Sequence, residues 1–358
     1  MSYNILGINT SHNGSVCVLS DGKVVYYLEE ERLSKIKFDH LPIDAFEIIS
    51  QKYNIDHVVI GGIDVQLYKK YFKLYYYLLK KYFPNSTIEN TLKFHHLTHA
   101  YHTFYNSGFK KALGIVIDGS GSYLSKHIIE TESISVLKYP SKHKPLYKSY
   151  KTNKSSFNKS NNFEIIDQKL TLSKTYEAVT RGLGFKMFEE GKTMGLSSYG
   201  NKNKNIPKLL TKGRGKTSNF SNFSNMAGSD GNLTKKFNLI LKDNKLRQDL
   251  AYTIQTETQE FVGDLIKKYI KKSKLKKVVC SGGYFLNCVT NYYLIKRFPN
   301  IEFYFEPIAH DGGVAIGSAK WVWYKNTKDT KIRPQKTLYY GPKYSKKELL
   351  RKIDKYLE

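Results

Sequence analysis

Cysteine is scarce in this chain: Cys17, Cys280 and Cys288 are the only three in 358 residues, with no CxxC pair and no even set. That excludes a disulfide-built secreted scaffold and fits a reducing compartment. No run of eighteen apolar residues occurs, so a membrane-spanning helix is not expected. The charged and apolar regions of a signal peptide are missing too. The amino terminus leads straight into the strand-like Ile5-Leu6-Gly7-Ile8, and a soluble, cytoplasmic protein is expected. Negative charge is the other shortage. Against 31 Asp and Glu stand 58 Lys and Arg, a net charge of +27. A field of that sign attracts polyanions, and nucleic acid is the commonest one in a cell. An A+T-rich coding sequence that fills surfaces with Lys, Asn, Tyr and Ile would give the same excess, and composition does not separate the two.

What is present is 40% hydrophobic residues, enough for a sizeable core, and length for two domains or one duplicated architecture. Ile5 to Asn9, Ser15 to Leu19 and Val24 to Leu28 read as three short strands, the last two joined at an Asp21-Gly22 hairpin. After Ala112 the same strand, small-residue turn and strand recur, which predicts two halves built alike. Helical periodicity appears from Leu41 to Ile49 and from Leu250 to Ile270, the latter closing on lysines that suit its dipole. Between Tyr68 and Phe83 five lysines interleave with aromatics. This fits an amphipathic helix with a solvated lysine face, or a surface that tracks phosphates while rings stack on bases. Residues 138–174, with Tyr147, Tyr150, Phe157 and Phe163 among lysines, and residues 201–236 read as exposed, mobile insertions. Glu29-Glu30-Glu31-Arg32 reads as a solvated helix start.

Four of the 10 histidines fall at His95, His96, His99 and His102. On a helix, His95 and His99 share a face at i and i+4, near enough to hold one ion, but two imidazoles are too few ligands for a metal. Hydrogen-bonded histidines on an amphipathic helix satisfy the same spacing. Asp118 ends an apolar strand at Gly119-Ser120-Gly121, where backbone amides suit a phosphate. Asp311-Gly312-Gly313 follows the strand from Ile301 to Phe305, and Ser281-Gly282-Gly283 opens another helix after a strand. Gly191-Lys192-Thr193 is not a P-loop, since the earlier glycine and the preceding apolar strand are both absent.

Taken in order, these motifs resemble the O-carbamoyltransferase family of nodulation-factor and antibiotic enzymes, related to tRNA threonylcarbamoyl-transfer proteins and to the actin-like ATPases. The resemblance rests on Ile5-Leu6-Gly7-Ile8 with His12, Glu29-Glu30-Glu31-Arg32, and His95-His96-Leu97-Thr98-His99-Ala100. It continues through Asp118-Gly119, Gly191-Lys192-Thr193-Met194-Gly195, Ser281-Gly282-Gly283 with Asn287, and Asp311-Gly312-Gly313. It implies an α/β fold of two ribonuclease-H-like halves with a central nucleotide and metal cleft. The halves are expected over 1–110 and 111–330, with a basic tail at 331–358 where the family's carbamoyl-adenylate-forming domain would begin.

By the same resemblance His95, His99, Asp118 and Asp311 match metal ligands, with iron inherited from the family and manganese or zinc compatible with the set. Gly119, Lys192, Gly282, Gly283 and Asn287 match nucleotide-binding positions, and His12 and Arg32 match positions lining the reaction cleft. The implied reaction moves a carbamoyl group from carbamoyl-adenylate, made from carbamoyl phosphate and ATP, to an acceptor hydroxyl. The charge makes a hydroxymethylpyrimidine in DNA the preferred acceptor. A sugar or antibiotic-like metabolite, a tRNA-modifying relative and a non-catalytic nucleotide-binding partner are the alternatives. A separate protein that forms carbamoyl-adenylate is an expected partner.

Overall fold

The computed structural model of the chain describes residues 2–62, 66–125, 128–152, 164–168, 171–212, 219–221, 242–342 and 344–357. The first sheet contains β1 (Asn4–Asn9), β2 (Ser15–Ser20), β3 (Lys23–Glu29), β4 (His57–Gly61) and β5 (Thr87–Asn90), in the order β3-β2-β1-β4-β5. β1 runs antiparallel to β2 and parallel to β4. The second sheet repeats this plan with β6 (Lys111–Ile117), β8 (Ile128–Lys138), β9 (Lys142–Thr152), β13 (Lys277–Ser281) and β14 (Glu302–Phe305). Its order is β9-β8-β6-β13-β14, extended at one edge by β10 (Glu164–Gln168), while β7 (Tyr123–Ser125) pairs with β8. β6 is antiparallel to β8 and parallel to β13, as β1 is to β2 and β4. A small ladder joins β11 (Leu210–Lys212) to β12 (Asn219–Ser221). The duplication read after residue 112 is therefore a repeated strand plan.

The helices are α1 (Glu31–Ser34), α2 (Asp44–Lys52), α3 (Gln66–Tyr82), α4 (His95–Ser107), α5 (Leu172–Gly182), α6 (Glu190–Ser197), α7 (Asn244–Ser273), α8 (Cys288–Arg297), α9 (Val314–Thr327) and α10 (Lys346–Leu357). Two of them cross over. α4, which follows the first sheet in sequence, packs on β6, β8 and β13 of the second. α9, which follows the second sheet, packs on β1, β2 and β4 of the first, and the two helices pack on each other. Their shared core joins Ile5, Leu19 and Val59 to Phe104, Val116, Val279 and Ala319. Close approach is what permits this. A Cβ on Gly7 would lie 2.0 Å from the Ala315 carbonyl oxygen, and one on Gly317 would lie 2.4 Å from that of Thr98.

α2 and α3 cover the outer face of the first sheet with Phe46, Ile49, Tyr75, Leu79 and Phe83. α7 covers the second sheet with Val262, Ile266 and Tyr269. Burial on both faces is why the central strands read as continuous apolar runs. α7 starts earlier than its periodicity suggested, because Asp243 accepts from the Lys245 and Leu246 amides and fixes the first turn.

Residues 138–152 do not behave as the exposed insertion expected of them. They form the β8–β9 hairpin and strand β9, in which Tyr147 and Tyr150 are buried. Neither ring is available to stack on a base. Phe157 and Phe163, like most of 213–241, lie outside the described residues. No helix of the described residues is long and apolar enough to cross a membrane.

Candidate functional site

Residues that follow β1, β4, β6 and β13 meet at the start of α4 and the entry to α9: Ser11 reaches Asp311, the Gly62 carbonyl reaches His95, and the Gly283 amide reaches Asp118. This is where open α/β sheets bind ligands. His95 and His99 stand one turn apart on α4, and Asp118 follows β6. Asp311 opens the turn before α9. One ligand atom from each of His95, His99, Asp118 and Asp311 lies within 4.8 Å of all the others, and all four residues are buried.

His95 Nδ1 is 3.2 Å from the Gly62 carbonyl oxygen, which can only accept, so this nitrogen carries the proton. Nε2 then faces Asp118 Oδ2 at 3.3 Å and Asp311 Oδ1 at 3.5 Å. Ser281 Oγ donates to the Ala309 carbonyl at 3.4 Å, which leaves it to accept from His99 Nδ1 at 3.2 Å, and His99 Nε2 is 3.4 Å from Asp311 Oδ1. The His99 Nε2 atom is buried and makes no hydrogen bond. A nitrogen lone pair aimed at a carboxylate is repulsive unless a proton or a cation lies between them, so the donor set fits a metal ion. Burial pushes the His95 imidazole down, but Asp311 and Asp118 outweigh it and raise it to about 10. Burial likewise pushes Asp311 up, yet His95 and His99 hold it well below the carboxylate range.

Neighbouring groups orient the carboxylates. Ser11 Oγ donates to Asp311 Oδ2 at 2.9 Å, and the Gly283 amide donates to Asp118 Oδ1 at 3.1 Å. Gly282 precedes that amide at φ +96°, where a Cβ would also strike the Ile117 carbonyl, so the turn requires glycine. Gly119 lies in the opposing turn after Asp118. His12 stands at the edge, its Nε2 4.0 Å from Asp311 Oδ2 and its side chain one-third exposed. Its ring lies 4.7 Å from that of Phe188.

Three residues singled out in the sequence are placed elsewhere. Arg32 turns to solvent with its side chain 70% exposed, pairing only with Glu31 among the described residues. Lys192 is 58% exposed and pairs with Glu189 at 2.6 Å. Asn287 faces inward: it caps α8 through the Thr290 amide, and its Nδ2 donates to Gln255.

The three preceding glutamates are not a solvated run. Glu29 accepts from Tyr27 and pairs with His310 at 3.5 Å. Glu30 accepts the Asp44 and Ala45 amides at the start of α2, and its burial pushes it up to about 7. Glu31 accepts from Asn13 and the Phe38 amide. Of the remaining cluster histidines, His96 bonds Ser133 and His102 lies 3.6 Å from Glu306. Both are buried away from the ligand set. Ser11 and His310 were given no role in the sequence, and Glu29 was read only as part of an acidic run, because nothing local marks contacts made across some 300 residues.

Comparison with known proteins bears on this arrangement. The profile of the family described as carbamoyltransferase N-terminus matches residues 72–320. The chain belongs to the carbamoyltransferase family. Within 92% of this carbamoyltransferase-family chain it is 22% identical to nodulation protein NolNO of Sinorhizobium fredii (strain NBRC 101917 / NGR234), covering 49% of that protein. It is 26% identical to the uncharacterized protein MJ1058 of Methanocaldococcus jannaschii, over 83% of the chain and 49% of that protein. The chain thus spans about half the length of these curated relatives. Among solved structures, full-length HypF in its phosphate- and nucleotide-bound form superposes with a TM-score of 0.57 at 14% identity, over 92% of this chain and 56% of HypF. The chain therefore shares its fold with HypF over that span, and the likeness speaks to fold alone.

Proposed function

We propose that this chain carries the carbamoyl-transfer step from an ATP-derived carbamoyl-adenylate to an acceptor hydroxyl. The observation that carries the proposal is the convergence of two imidazoles and two carboxylates beside two facing glycine turns, in a chain of the carbamoyltransferase family. His95, His99, Asp118 and Asp311 would hold the metal, iron by family resemblance. When bound, it would withdraw charge from an adjacent phosphate. Gly119 and Gly283 let backbone amides approach that phosphate. His12, at the edge of the ligand set, would take the proton of the acceptor hydroxyl as its oxygen bonds to the carbamoyl carbon. The bond from that carbon to the AMP phosphate oxygen breaks, and AMP leaves.

The net charge of +27 supports a DNA-borne hydroxymethylpyrimidine as acceptor. The edge around His12 supports a second reading. Glu29 and Glu31 are bridged there by Asn13, and these carboxylates would repel a phosphate backbone. A neutral, extruded base or a small polyhydroxylated molecule fits that edge. The test is incubation with carbamoyl phosphate, ATP and a panel of acceptors, run in parallel with the preformed donor, with mass spectrometry scoring the gain of one carbamoyl group. A hydroxymethylated oligonucleotide should gain the group, and His12→Ala should lose at least ~100-fold in rate. Modification of a sugar alone would replace the acceptor, and no transfer with either donor would defeat the proposal.

A further inference from the structure

The structure places a different lysine at the site from the one its glycine-flanked motif singles out. β8 fixes two things through consecutive residues: the Thr131 carbonyl accepts the Asp118 amide at 2.9 Å, and Glu132 Oε1 accepts the Leu172 amide at 3.4 Å. The first turn of α5 is thereby set against the turn that follows Asp118. Thr171 caps that helix by accepting the Lys174 amide. The Lys174 side chain then lies over the turn, since its Cε and Nζ are the nearest atoms to a Cβ built on Gly119, both at 3.7 Å. Among the described residues, the amides of Gly119 and Ser120 have no hydrogen-bond acceptor, while those of Asp118 and Gly121 do.

We propose that Lys174, and not Lys192, is the cation that meets a phosphate of the bound nucleotide at the Gly119–Ser120 turn. This rests on the nucleotide reading above. An ammonium has three donors. Glu177, at i+3 and 2.5 Å, takes one and holds the side chain down, with only 30% of it exposed. Two donors remain for phosphate oxygens, beside two unused amides and a residue without a side chain. Lys192 spends its charge on Glu189 in solvent.

The test compares Lys174→Met and Lys192→Met in the full chain, with circular dichroism to verify folding. Calorimetry measures binding of a non-hydrolysable ATP analogue and of adenosine. Lys174→Met should weaken the analogue ~10- to 100-fold, as expected for one lost charge-assisted contact. It should leave adenosine within about twofold, and Lys192→Met should leave both within about twofold. The assignment falls if Lys174→Met binds the analogue like the unaltered chain, if it loses adenosine equally, or if the unaltered chain binds no analogue. Absent carbamoyl transfer together with the predicted Lys174 binding defect would remove the functional proposal and leave this one standing.

Discussion

The two nitrogens of His95 are held to different tasks: a backbone carbonyl fixes the proton on Nδ1, and Nε2 is turned onto two carboxylates. The same logic extends one shell outward, where Ser11 donates to the Asp311 oxygen that faces His12. Outer partners of this kind typically govern metal affinity by 10- to 100-fold. Ser11→Ala should therefore weaken metal retention by about tenfold or more, measured by elemental analysis after dialysis against a graded chelator, with folding unchanged. Equal retention would show that Ser11 does not orient the ligand. Part of this site was legible in the sequence. His95 and His99 carry helical spacing, and Asp118 and Asp311 sit where apolar strands break into glycine turns, both local signals. Lys174 carries none, because its role depends on a helix start being pinned to a strand forty residues earlier. Lys192 carries a local signal in its flanking glycines, but the structure sets that lysine on α6, exposed and paired with Glu189.

Among elements, α9 packs closely on its support. It rests on β1 without a side chain between Gly7 and the Ala315 carbonyl, so any Cβ there must push helix and strand apart. Gly7→Ala is expected to cost ~3 kcal/mol or more, the upper range for overpacking, and to lower the thermal midpoint by several degrees. A midpoint within one degree of the parent would mean that the helix can shift freely. The central strands were readable because both faces are buried, and α3 was readable as a helix because Tyr75, Leu79 and Phe83 recur at its period. β9 was not. Its lysines made the composition look like a solvated insertion, while Leu146, Tyr147 and Tyr150 were already supplying the buried contacts of a strand. The exposed rings of Phe72 and Tyr77 on α3 leave the other reading of that helix, as a surface for bases, compatible with its packing.

For the whole molecule, an excess of 27 positive charges acts at long range and is weakened by salt. If that field serves a polyanionic acceptor, retention on duplex DNA should fall steeply as salt rises. The slope of log affinity against log salt should correspond to several neutralised phosphates, read by fluorescence anisotropy. A flat dependence would leave the charge as a compositional trait. The crossing of α4 and α9 bears on how the chain is made. The inner face of the first sheet is complete once residue 90 is out of the ribosome, but the helix that covers it begins only at Val314. At ~5–20 residues per second, that apolar surface waits on the order of tens of seconds for its partner. Throughout that interval the nascent chain depends on whatever shields exposed sheets during synthesis.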